Sequence, residues 1–185
     1  LKMKKKVRLL LIPLIIGLIM WHLIWFHNKS RRISEKSDAM QAISDLIIAC
    51  DDYFEDYQQL PLGSTRNSDG KGLTTGKGND TIMTSLCSLV TAEDESYKVR
   101  NHFTFKKAKD RKGGLLRNED GTHAELFDPW SNPYHLFLNY DYDNELKDPF
   151  TGQIIKDQKV LIWSPGPDQK TGTLKTNKDN LYSWR

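Results

Sequence analysis

The chain has 185 residues, with 27 Lys and Arg against 24 Asp and Glu and a net charge of +3. That length suits one membrane segment and one domain. The charge is mild and crowded toward the front, and acids and bases alternate through the rest, which excludes the basic stripe of a nucleic-acid-binding face.

In chain order, Lys2, Lys4, Lys5, Lys6 and Arg8 come first, and residues 9–26 follow as LLLIPLIIGLIMWHLIWF, eighteen residues without a formal charge. A hydrocarbon core about 30 Å thick takes roughly 20 apolar residues in helix, so this run spans with its flanks. A cleavable signal has a shorter apolar region, ~7–15 residues, ending in a small-residue cleavage site. Here the run ends in Trp21, Trp25 and Phe26, then His27, Asn28 and Lys29. Aromatic residues at that end fit an interfacial belt. The expectation is an uncleaved anchor: residues 1–8 a basic cytoplasmic flank, residues 9–27 a transmembrane helix, and the remainder across the membrane.

Residues 28–60 are expected to continue the span as an amphipathic helix. Ile43, Leu46, Ile47, Cys50, Tyr53, Phe54 and Tyr57 recur at steps of three and four and make one apolar stripe. Asp45, Asp52, Glu55 and Asp56 fall largely off it. Leu60-Pro61 stops the helix, because proline disfavours helical geometry in the residue before it. Residues 61–185 then form the globular part.

Residues 63–79 read as a loop. The piece GLTTGKG falls one residue short of a phosphate-binding loop, and Lys77 is followed by Gly instead of Ser or Thr. Residues 81–90 suggest a short helix with Asp80 as its N-cap. YKVRNHFTF, residues 97–105, alternates enough for a strand. Lys106, Lys107, Lys109, Arg111 and Lys112 form a basic cluster, either a solvated loop or a surface for an acidic partner. Tyr134, Leu136, Leu138 and Tyr140 alternate with His135, Phe137 and Asn139, the period-two pattern of a two-faced strand. Turns are expected at residues 141–144 and 148–152, a second strand at 159–164, and a closing one at 181–184. The fold class is α+β: one long helix packed on a small antiparallel β-meander.

Convergent catalytic groups are not evident. His22, His27, His102, His123 and His135 lack metal-ligand spacing. Cys50 and Cys87 either bond in an exported domain or sit as two small buried apolar residues. Asp128, Asp141 and Asp143 stand in turn contexts, where Asp is common for backbone reasons. Structural turns are the better reading there, and an anchored extracytoplasmic hydrolase using Asp128 or Asp141 is the minority alternative.

DPWSNPY, residues 128–134, resembles the Asp-Pro-Trp-Gly-Asn-Pro-Tyr motif of the type II secretion pseudopilins and related type IV pilin-like proteins. WSPGPDQKTGT followed by KDNLYSW resembles that family's C-terminal loop, and AMQAISDLIIACDDYFEDYQQLP its amphipathic helix. The resemblance implies a single-pass protein of the bacterial inner membrane, N-terminus cytoplasmic and C-terminal domain periplasmic. Its partners would be inner-membrane lipid and other pilin-like subunits, met helix against helix in a short fibre, with no nucleic acid and no catalysis. It also implies a calcium site in the C-terminal loop, carried over to Asp168, Asp179 and Asn180. Calcium takes ~6–8 oxygen ligands, which carboxylates and a glycine-rich loop can supply. The sequence departs from the family with Gln169 in place of Gly, Asn180 in place of the second acid, and a longer stretch at 174–178. No acidic residue precedes Glu35, so the family's peptidase motif is missing here. A pilin-like domain held as an unprocessed binding module is the other open reading.

Overall fold

The fold was analysed in a computed structural model that describes residues 2–61, 71–73, 79–88, 100–170 and 178–185, without the side chains of residues 2–12, 14 and 71–73. It is α+β. Helix α1 runs unbroken through Lys2–Tyr57 with Pro13 inside it, the continuity that the absence of a sequence break implied. Two compact units divide the chain, Leu1–Ser37 and Asp38–Arg185. The boundary therefore falls within the helix, where burial of its side chains begins at Ala39. No helix among the described residues is long and apolar enough to cross a membrane. The expected span at 9–27 starts inside residues 1–12, whose side chains lie outside the description.

In the unit Asp38–Arg185, Ala39, Ala42, Ile43, Leu46, Ala49 and Cys50 of α1 are each at most 1% exposed. They share one core with Leu136, Leu138, Val160, Ile162 and Leu181. The stripe is narrower and smaller than expected. Ile47, Tyr53 and Phe54 are only half-buried along its edge, while Ala39, Ala42 and Ala49 are buried within it. The helix ends as Gln58 turns to φ 55 and its N–H reaches the Phe54 carbonyl at 2.8 Å. Leu60 and Pro61 follow; Tyr142 Oη accepts the Leu60 N–H at 3.1 Å, and Tyr140 Oη donates to the Pro61 carbonyl at 2.7 Å.

The main sheet has four strands in the order β1-β4-β7-β8, where β1 is Lys71–Leu73, β4 His135–Asn139, β7 Val160–Ser164 and β8 Leu181–Tyr182. All three pairings are antiparallel, with Leu136 opposite Ile162 and Phe137 opposite Leu161. The alternation read at 134–140 is realised: Leu136 and Leu138 face α1, while Phe137 joins Leu161, Trp163, Leu146 and Tyr182 in a second cluster. Two hairpins stand apart from this sheet, β2 (Gly114–Arg117) with β3 (Ala124–Phe127), and β5 (Glu145–Lys147) with β6 (Ile154–Lys156). The single meander expected at the C-terminus is thus interrupted, because β5 and β6 pair with each other and leave β7 to return beside β4.

Three local expectations change. Lys71–Leu73 pairs with β4 as a strand, although residues 63–79 read as loop; residues 74–78, most of GLTTGKG, lie outside the described residues. Residues 100–105 are irregular, the rest of the expected strand at 97–105 lying outside the description. Helix α2, Asp80–Leu86, is preceded by Asn79 at the cap position, and Asp80 is its first residue. Asn79 makes no cap bond because its side chain is committed elsewhere: Nδ2 donates to the Leu126 and Tyr134 carbonyls at 2.9 and 3.0 Å, and Oδ1 accepts the Leu126 N–H at 2.9 Å. One buried amide thereby stands in for a strand segment between β3 and β4.

Asp148 ties the β5–β6 turn to the C-terminus. Its Oδ1 accepts the N–H groups of Phe150 and Thr151, and its Oδ2 accepts Trp184 Nε1 at 3.1 Å and Arg185 Nη2 at 2.6 Å. Burial opposes ionisation, but these donors outweigh it and hold the Asp148 pKa down to about 2. His135, stacked on Trp163 with ring centroids 5.0 Å apart, is pushed down to about 4 by burial alone. Both folded pKa values lie below their unfolded ones, so each contribution is full at higher pH and fades as pH falls through the folded value. For His135 that window runs from about pH 6.5 to 4, and for Asp148 from about pH 4 to 2. Urea unfolding followed against pH is expected to show the Asp148 step, worth ~2 kcal/mol. Asp148→Asn should shrink that lower step by about this amount and keep the upper one; a slope below about pH 4 unchanged from wild type contradicts the tether.

Candidate functional site

The turn at 128–133 and the end of β7 meet in a closed set of hydrogen bonds. Each X-Pro pair holds the residue before the ring extended, and Asp128 then closes the turn with its side chain. Its Oδ1 accepts the N–H groups of Trp130 and Asn132, both at 2.8 Å, and its own N–H donates to the Asn132 carbonyl. Its Oδ2 accepts Asn132 Nδ2 at 2.8 Å and Ser164 Oγ at 2.6 Å. Asn132 Nδ2 also donates to the Gly166 carbonyl at 3.0 Å, and Ser164 Oγ accepts the Gly166 N–H at 3.0 Å. Asp128 and Ser164 are 0% exposed. Burial raises the Asp128 pKa against the donors of Ser164, Asn132 and Trp130, which lower it.

This geometry answers what the carboxylates do. Four donors saturate Asp128, and no face of it is open to a substrate, so its role is to clasp two loops. Asp143 Oδ1 accepts the Glu145 N–H at 3.0 Å in a turn of its own, and Asp141 lies exposed in the same turn. The acid–base pair of the hydrolase reading is not assembled by Asp128.

Beyond the clasp, the loop turns back on the C-terminal strand. Gly166 adopts φ 75, and a Cβ there would run into the Asp179 carbonyl, so only glycine admits this approach. The Asp168 N–H donates to Asp179 Oδ2 at 3.1 Å, which brings two of the three expected metal ligands together. Asp168 Oδ1 accepts the Lys170 N–H at 2.9 Å, and Gln169 Nε2 donates to the Trp130 carbonyl at 3.0 Å. Asn180, the third, is 7% exposed, and neither its amide oxygen nor its nitrogen has a hydrogen-bond partner. A buried, unpaired amide is costly, and its oxygen fits a hard cation that collects oxygens. Asn180 thus offers one buried oxygen of the kind a hard cation takes, next in sequence to the Asp179 carboxylate. Residues 171–177 of the loop lie outside the description, and among the described residues no group of three or more His, Cys, Asp or Glu is arranged to hold a metal.

Elsewhere the titratable groups serve structure. His102 Nε2 contacts Asp56 Oδ2 at 2.9 Å between the rings of Tyr53 and Tyr57. That bond, with Arg100 as second partner, holds the exposed Asp56 carboxyl below its usual range. Cys50 and Cys87 are free thiols, both buried, and burial pushes Cys50 up to about 12 and raises Cys87. The basic cluster bends into a tight hairpin with Asp110 and Arg111 at φ 52 and 59; Lys106 pairs with Asp38 and Arg111 with Glu125. Ser164 and the Asp56–His102 pair escaped sequence reasoning. Their partners lie 36 and 46 residues away, and no local pattern marks them.

No known family model, curated protein or solved structure matches the chain.

Removing the Ser164 hydroxyl leaves a buried carboxylate short of a donor and the Gly166 N–H without an acceptor. Ser164→Ala should cost about 2–3 kcal/mol in urea unfolding. A cost under ~0.5 kcal/mol contradicts the clasp.

Proposed function

We propose that the protein is a membrane-anchored, pseudopilin-like subunit acting in a type II secretion or type IV pilus-like fibre. The observation that carries this reading is the clasp, through which DPWSNPY and WSPGPD, the two stretches most like the family's motifs, meet at Asp128, Asn132, Ser164 and Gly166. Two substitutions within those motifs support it. Ser131 and Gln169 stand where the family motifs carry Gly, and both hold left-handed backbones, with φ 75 and 59, a conformation that Gly adopts without steric cost. The packing of residues 38–57 on a small antiparallel sheet agrees with the same architecture.

The anchor is argued from the first unit. Ile15, Ile16, Leu18, Ile19, Met20, Trp21, Leu23, Ile24, Trp25 and Phe26 are each at least 50% exposed, so the helix is apolar on every side. A helix apolar all round needs an apolar surrounding, and lipid supplies it. With the five basic residues ahead of it, the helix is oriented N-terminus inward in the bacterial inner membrane, with the domain in the periplasm. Subunits then meet through the same helix.

Single cysteines introduced along residues 9–48 test assembly, since buried Cys50 and Cys87 have raised thiol pKa values and stay silent. Oxidative crosslinking in membranes should give a ladder of oligomers. A fixed monomer favours a standing binding module, and recovery of the full chain in the cytosol removes the anchor.

The same reading assigns calcium to the C-terminal loop, held by Asp168, Asp179 and Asn180, where it would pin the loop to the strand that follows. Calcium at 100 times its dissociation constant should stabilise the domain by about 2.7 kcal/mol over a chelated sample. Identical melts with calcium and with chelator remove the metal.

A further inference from the structure

The first unit carries a stripe that the fibre reading leaves unused. Trp25, Asn28, Lys29, Arg32, Ile33 and Lys36 line one groove along the helix. Trp25, Lys29, Arg32 and Lys36 follow one another at steps of four, three and four, so they lie on one face. Lys29 Nζ sits 5.1 Å from the centroid of the Trp25 ring, which fixes the first cation at the level of the aromatic belt. The single acid between residues 25 and 36 is Glu35, which does not line the groove and which Arg31 engages at 2.8 Å.

We propose that this stripe is a seat for an anionic phospholipid headgroup, with Lys29 and Arg32 holding the phosphate and Trp25 resting against the top of the acyl chains. The inference rests on the reading that residues 9–26 lie in a bilayer, and adds which lipid they select. At 1.5 Å per residue, Lys29 stands ~6 Å and Arg32 ~10 Å above Trp25. The headgroup layer is ~5–8 Å deep on each side of the hydrocarbon. Helical side chains lean toward the N-terminus, so both cations tilt back toward that layer. Arg32 adds a planar, two-pronged phosphate donor, and Lys36 supplies positive field at the outer edge. Charge complementarity decides the occupant: the stripe holds three cations and no acid, so the same stripe of a second copy is repelled where a phosphate is attracted.

The test uses the full chain in mild detergent with equal amounts of phosphatidylglycerol and phosphatidylcholine, counting retained lipids by native mass spectrometry. A basic residue near an anionic surface is worth ~1 kcal/mol, or about fivefold, so wild type should retain phosphatidylglycerol at least fivefold over phosphatidylcholine. The K29A/R32A variant should bring that ratio to near one with total retained lipid unchanged, and K29R/R32K should keep it. Equal retention of the two lipids by wild type, or an unchanged ratio in K29A/R32A, overturns the headgroup seat alone. Retention of neither lipid, with the chain soluble without detergent, overturns the bilayer reading and the seat with it.

Discussion

One face of α1 sets the terms for the rest of the unit Asp38–Arg185. Ala39, Ala42 and Ala49 are buried there together with Ile43, Leu46 and Cys50, in one core with the sheet. The sheet answers with Leu136 and Leu138 from β4 and with Val160 and Ile162 from β7, alternate residues on two paired strands. Because the side-chain period in a strand is two, a one-residue slip would exchange these for Phe137, Leu161 and Trp163, and the two aromatic rings are larger than the aliphatic side chains they would displace. The helix contact and the strand register therefore specify each other. The opposite face is closed by Leu146 and the aromatic rings of Phe150, Tyr182 and Trp184 around Trp163, so the sheet is covered on both sides.

Polar groups then fix what packing leaves adjustable. Tyr134 Oη reaches the Ala39 carbonyl at 3.4 Å, and Lys159 Nζ pairs with Asp51 at 2.7 Å, so both ends of the packed helix segment are referenced to the sheet. Asn79 bridges β3 and β4, Asp128 joins its turn to the end of β7, and Asp148 joins the β5–β6 turn to Arg185. These residues are small polar side chains buried among apolar ones. Each is hydrogen-bonded, the usual condition for a buried polar residue, and each has at least one partner distant in sequence. The C-terminal loop differs, since Asn180 is buried with its amide unpaired.

Much of the framework was legible in the residues. The apolar stripe of 43–57 announced the helix and its inward side, and Leu60-Pro61 its end. The alternation at 134–140 announced β4 with its two faces, and the turn roles of Asp128 and Asp143 followed from their Pro and Asn neighbours. What could not be read was pairing. Nothing local tells that β5 and β6 fold on each other, that Lys71–Leu73 adds to the edge of β4, or that Ser164 donates to Asp128. Asn79 was hidden for a related reason: the sequence suggests Asp80 as the cap, and the Asn79 side chain is claimed by β3 and β4, which no local pattern shows. Of the three residues assigned to the loop, Asp168 and Asp179 do meet, through a backbone N–H that no spacing rule foretells.

The proposed role depends on a helix with one half made for lipid and the other for the sheet, and the second half can be tested directly. Leu46 is 0% exposed on the packed face, and Ile48, two residues on, is 57% exposed on the other. Urea unfolding of Leu46→Ala and Ile48→Ala compares the two faces with similar aliphatic truncations. Leu46→Ala should cost about 3 kcal/mol or more, and Ile48→Ala should stay within ~0.5 kcal/mol. Equal costs at the two positions would contradict the packing of this helix face on the sheet.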